Sequence, residues 1–117
     1  MVLAEAVVGQ SRNLMRAFSK YAERMPRAYK FTHGDRIISR SVMLLDCVVE
    51  ASNSGDPERP ALIEKATNHL DKLRELMQGC LDEGVHDQSQ NERYLNEIDA
   101  VGKTLGGWSE SVSCQKR

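Results

Sequence analysis

Apolar residues recur along this chain at spacings of three and four and show no sustained period-two alternation, so the pattern predicts helices and no sheet. Leu14, Phe18, Tyr21 and Met25 form a first stripe. Pro26 ends it, because a proline pushes the residue before it out of the α region. A second helix is predicted to open at Thr32-His33-Gly34-Asp35, with Thr32 as cap and Asp35 favourably near the positive helix end. It carries Ile37, Ile38, Val42, Leu44, Leu45, Val48 and Val49, a double row too wide for one neighbour. Such a helix is buried on two sides or keeps one side for a partner chain.

Ser52-Asn53-Ser54-Gly55 reads as a loop, with Asp56 then expected as N-cap, Pro57 as first helical residue and Pro60 within the tolerated first turn. Ile63, Ala66, Leu70, Leu73, Met77 and Cys80 hold the third stripe up to a stop at Gly84. Asp87 and Gln90 resemble a capping box, and Tyr94, Ile98, Val101, Leu105, Trp108 and Val112 then run as a heptad seam. Four helices with short connections predict an all-α, antiparallel up-down four-helix bundle. Residues 1–10 are set apart as an N-terminal arm, either frayed or an extra helical turn. Residues 11–113 are the bundle and 114–117 a C-terminal tail.

Length and composition narrow the class. One domain fits in 117 residues, and 40% hydrophobic content excludes wholesale disorder. No apolar run approaches a membrane span, and Met1–Val8 carries Glu5 inside its apolar stretch, a poor signal peptide. The chain therefore reads as cytosolic. Cys47, Cys80 and Cys114 are odd in number and widely spaced, which suits free thiols rather than a disulfide framework.

The net charge of −1 conceals an asymmetry. Residues 1–40 hold eight bases and three acids, a net +5, whereas residues 41–117 hold eight bases and fourteen acids, a net −6. Arg12, Arg16, Lys20 and Arg24 recur every four residues as a ridge on the first helix. Arg27 and Lys30 continue it, and Arg36 and Arg40 repeat the spacing on the second. Solvated faces ordinarily mix signs, since like charges at i, i+4 repel. The run therefore points to an external anion, nucleic acid or an acidic protein surface, with any nucleic-acid contact led by the backbone.

Recognisable catalytic or metal chemistry does not emerge. Gly102-Lys103-Thr104 ends like a phosphate-binding loop, but Glu97 stands where that motif needs glycine. His33, His69 and His86 fall in separate segments without metal-pair spacing, and no nucleophile-elbow motif occurs. The chain reads as non-enzymatic, without cofactor or metal. Gly102, Gly106 and Gly107 each cost about 1 kcal/mol of helix propensity, which predicts close approach of a neighbouring helix, with Trp108 filling the remaining contact.

Pro26-Arg27, then Phe31-Thr32-His33-Gly34-Asp35-Arg36-Ile37, then Val101-Gly102-Lys103-Thr104-Leu105-Gly106-Gly107-Trp108 together resemble two signature stretches of a bacterial four-helix-bundle family. It comprises the accessory variability determinant (Avd) proteins of diversity-generating retroelements and the proteins encoded in 23S rRNA intervening sequences. The resemblance covers about residues 12–112. It implies a homopentameric barrel and, in retroelement members, a positive surface that binds DNA or RNA and a reverse transcriptase. Here that surface would fall on Arg12, Arg16, Lys20, Arg24, Arg27 and Arg36, with Gly102, Gly106, Gly107 and Trp108 serving helix or subunit packing. The double row on the second helix fits an oligomer. The alternative is a cytosolic oligomeric protein–protein scaffold of the intervening-sequence type with no nucleic-acid role, its ridge matched by Glu64, Asp71, Glu75, Asp82 and Glu83.

Overall fold

A computed structural model describes residues 2–115 of the chain. The described residues are helical, with no strand among them. The elements are α1 (Val2–Glu23), a single turn α2 (Arg27–Tyr29), a π-helical stretch (Lys30–Gly34), α3 (Asp35–Ser52), α4 (Glu58–Asp82) and α5 (Gln88–Gln115). The four long helices close into a ring in which α1 and α4 each pack against both α3 and α5. Short links between consecutive helices make the neighbours antiparallel, as expected of an up-down bundle. The molecule measures 50 × 22 × 18 Å. No described helix is long and apolar enough to cross a membrane.

Each predicted stripe faces the interior. Leu14, Phe18 and Tyr21 from α1, Met25 just past its end, the six seam residues of α4 and the six of α5 are all buried. On α3 the wide apolar surface divides. Ile37, Leu44, Cys47, Val48 and Ala51 are buried between α1 and α4, while Ile38 and Leu45 are half-buried. Val42 and Val49 remain 39% exposed, and Met43 45%. Two neighbours thus use most of the double row and leave its outer margin uncovered.

Residues 2–10, set apart as an arm that could be frayed or helical, are the first turns of α1, because Ala4 and Val7 extend its stripe into the core. Helix α5 likewise runs past the expected boundary at 113 as far as Gln115. The side chain of Cys114 and residues 116 and 117 of the expected tail lie outside the described residues.

Two helix starts differ from expectation. Thr32 does not cap α3, because the chain is already coiled from Arg27 onward. Pro26 accepts from the amides of Tyr29 (2.9 Å) and Lys30 (3.1 Å), and Thr32 Oγ1 donates back to the Tyr29 carbonyl at 3.2 Å. Nor does Asp56 cap α4, since the cap position falls on Pro57, which has no side-chain acceptor. Arg59 in that first turn reaches back instead, its Nε donating to the Ala51 carbonyl at 2.9 Å and tying α4 to the C-terminal end of α3.

The α4–α5 turn follows the sequence closely. Gly84 adopts φ +74°, the Val85 amide bonds the Cys80 carbonyl at 2.9 Å, and the Gly84 amide bonds Leu81 at 3.0 Å. That is a Schellman motif, which requires a left-handed residue after the helix. Asp87 and Gln90 then form a reciprocal capping box, Gln90 N–H to Asp87 Oδ1 at 2.8 Å and Asp87 N–H to Gln90 Oε1 at 3.0 Å.

The glycines of α5 are a correction. A Cβ at Gly102 would meet Leu70 at an ordinary 3.9 Å, and one at Gly106 or Gly107 would meet nothing within 4 Å. Close approach inside the bundle therefore does not explain them, although Trp108 is fully buried. The tight glycine is Gly34, where a Cβ would lie 3.3 Å from Met25 Sδ and 3.4 Å from Ala22 Cβ. There the π-helical stretch presses against the end of α1.

Substitutions at two of these glycines should have opposite signs. In urea unfolding, Gly84→Ala is expected to destabilise by about 1 kcal/mol, through its positive φ. Gly106→Ala, in open space within a helix, is expected to stabilise the subunit by up to about 1 kcal/mol.

Candidate nucleic-acid interface

On a straight helix, residues four apart advance by about 40° per step. Arg12, Arg16 and Lys20 therefore climb α1 as a shallow diagonal, Arg24 follows in the turn just past its end rather than on the helix as expected, and all four are exposed, away from the buried stripe. Arg16 donates to Asn13 Oδ1 at 3.1 Å, one side-chain bond within the ridge. Arg27 is exposed in the turn after Pro26, and Lys30 is half-buried at the start of the π-helical stretch.

The last two bases belong to different surroundings. Arg36 and Arg40 line a groove of about 700 Å³ between α3 and α4, together with His33, Asp35, Ser39, Met43, Lys72, Glu75, Leu76 and Gly79. None of the α1 bases lines it. Arg40 is half-buried and its guanidinium donates to His69 Nδ1 at 3.1 Å. Burial, followed by the charges of Arg40, Lys65 and Lys72, holds the His69 imidazole below its ordinary value. A neutral ring is what an acceptor for a guanidinium must be.

Among the described residues no ion pair involves the run. The ion pairs among the described residues are His33 with Glu83, and Arg74 with both Asp71 and Asp99. None involves any of the eight bases between Arg12 and Arg40. Of the acids nominated as their partners, Asp71 and Glu83 are engaged as just described. Asp82 accepts from Gln78 at 2.9 Å, and Glu75 faces the groove.

The structure also assembles a polar cluster that the sequence did not disclose. Tyr21 on α1 donates its hydroxyl to His86 Nδ1, and His86 Nε2 donates to Asn91 Oδ1 at 2.9 Å on α5. All three are buried, and the Tyr94 ring packs against Tyr21 at 4.9 Å between centroids with the planes tilted by 47°. Asn91 lies three residues before Tyr94, so it extends the heptad seam with one polar residue. That interruption was the available signal.

Cys80 adjoins this cluster, but burial pushes its thiol up, as burial and the neighbouring Cys80 push up the Tyr21 phenol. A nucleophilic cysteine needs the opposite shift. These groups act as a staple that holds the α4–α5 turn against α1. No group of three or more metal-ligating side chains occurs among the described residues.

No family model matches this chain. A search of curated proteins finds no relative.

Two outcomes follow. Tyr21→Phe leaves His86 Nδ1 without a donor and is expected to cost about 1–3 kcal/mol in urea unfolding. The depressed His69 makes the unfolded chain bind its proton first. Stability should therefore fall as pH drops through about 6.5, and the fall should be smaller in His69→Gln, measured by unfolding at pH 7.5 and 5.

Proposed function

We propose that this chain is a non-enzymatic, cytosolic accessory protein that assembles with copies of itself and holds a nucleic-acid backbone against the outer face of α1. Its working partner, on the resemblance to the Avd family, is a reverse transcriptase. The observation that carries the reading is a run of eight bases without one internal ion pair among the described residues, in a chain whose carboxylates outnumber its bases. Unpaired like charges repel, and a polyanion relieves that repulsion while releasing its own counterions.

Dimensions agree. Eight residues of helix separate Arg12 from Lys20, about 12 Å at the α-helical rise, which matches about three to four phosphates along one strand of a duplex. Only six aromatics occur in the chain, and Phe18, Tyr21, Tyr94 and Trp108 are buried. Stacking on bases is therefore a small contribution, and recognition would be backbone-led and weakly specific. Self-assembly is supported by the uncovered margin of α3 at Val42 and Val49, with Phe31 66% exposed nearby in sequence. The glycines at 106 and 107, open within the subunit, suit packing between subunits. The five-fold count rests on the family resemblance.

A protein–protein scaffold without nucleic acid is the second reading, favoured by the net −6 of residues 41–117. Filter binding separates the two. A short duplex or RNA should bind at low salt, with log affinity falling against log salt at a slope of about −3.6 for four neutralised phosphates. Arg16→Glu with Lys20→Glu should abolish binding and leave particle size unchanged in sedimentation. Absence of binding at low salt supports the scaffold reading instead.

A further inference from the structure

The groove between α3 and α4 has a chemistry of its own, separate from the α1 ridge. At about 700 Å³ it is the size of a small-molecule site. Arg36, Arg40 and Lys72 line it, and none of the three is in an ion pair among the described residues. Arg40 is held in place by the neutral ring of His69, which occupies one of its N–H groups at 3.1 Å and leaves the rest of the fork free. A guanidinium fixed in this way is matched to an oxyanion, since its remaining donors need no reorientation.

The other lining residues restrict the oxyanion's carrier. Met43, Leu76 and Gly79 supply an apolar strip, with Met43 45% exposed and without a covering element. Asp35 and Glu75 oppose a bare anion but accept hydrogen bonds from hydroxyls. Ser39 adds a hydroxyl of its own. His33 stands at the edge, oriented by its bond to Glu83. Cations for a phosphate, carboxylates for a diol and an apolar strip for a flat ring together describe one kind of molecule.

We propose that this groove binds a phosphorylated nucleoside, either free or as the phosphorylated end of a strand. The phosphate sits on Arg36, Arg40 and Lys72, the sugar hydroxyls on Asp35 and Glu75, and the base against Met43 and Leu76. The site does not rest on the α1 ridge, so either can fail without the other.

Calorimetric titration of the full chain tests it with adenosine 5′-monophosphate, adenosine and inorganic phosphate. The monophosphate should saturate one site per subunit, and each of the other two should bind at least about tenfold more weakly. Arg40→Ala and Lys72→Ala should each weaken the monophosphate by about tenfold. Arg16→Glu with Lys20→Glu should leave it unchanged. Competition by a 5′-phosphorylated oligonucleotide in the ridge variant assigns the strand end as the source. Competition by the free nucleotide alone assigns the small molecule. No saturable binding of the monophosphate, binding no tighter than that of inorganic phosphate, or indifference to both groove variants would overturn the proposal.

Discussion

Eight cationic side chains in the first 40 residues, none of them in an ion pair among the described residues, are the constraint on which the functional account depends. At i, i+4 on an exposed helix such repulsion costs only a few tenths of a kcal/mol per pair. The bundle tolerates that because its stability comes from the interior, where Trp108, Phe18, Ile37, Leu44, Leu73 and Met77 are fully buried. The outer surface of α1 is thereby free to carry charge for another purpose. The acids on α4 do not reverse this. Asp71 is committed to Arg74, Glu83 just past the helix to His33, Glu64 is exposed and in no ion pair among the described residues, and Glu75 opens onto the groove.

Local structure fixes the helices that carry that charge. The Schellman turn at Gly84 and the Asp87–Gln90 box fix where α5 starts, and the Tyr21–His86–Asn91 staple binds that turn to α1. At the same end, Gly34 allows the π-helical stretch to press on Met25 and Ala22. Residues 30–34 then lead into α3 without a break, which sets Arg36 and Arg40 along the wall of a groove. One run of bases in the sequence thus becomes two surfaces, a convex ridge and a concave site.

Most of the fold was legible because heptad spacing survives translation into structure. The stripes on α1, α4 and α5 are buried residue for residue, and the capping box and helix stop fall where side-chain chemistry requires. Misreadings arose where backbone amides found partners that a propensity argument does not see. Thr32 had no free amides to cap, and Pro57 displaced Asp56 from the cap position. The ridge was visible as a spacing of four. Its division was not, since Lys72 and His69 come from a helix distant in sequence. The His86 staple was hidden for the same reason, with Asn91 as its one outward sign.

The most direct test of an unneutralised ridge needs no ligand. Arg16 stands mid-helix one turn from both Arg12 and Lys20, with no carboxylate three or four residues away, so Arg16→Glu converts two repulsive neighbours into attractive ones. In urea unfolding at low salt the variant should be more stable than the parent by a few tenths of a kcal/mol, and the gain should fade as salt screens it. A variant less stable than the parent at low salt, with the deficit shrinking as salt is added, would mean that Arg16 already has an acidic partner, and would contradict the account.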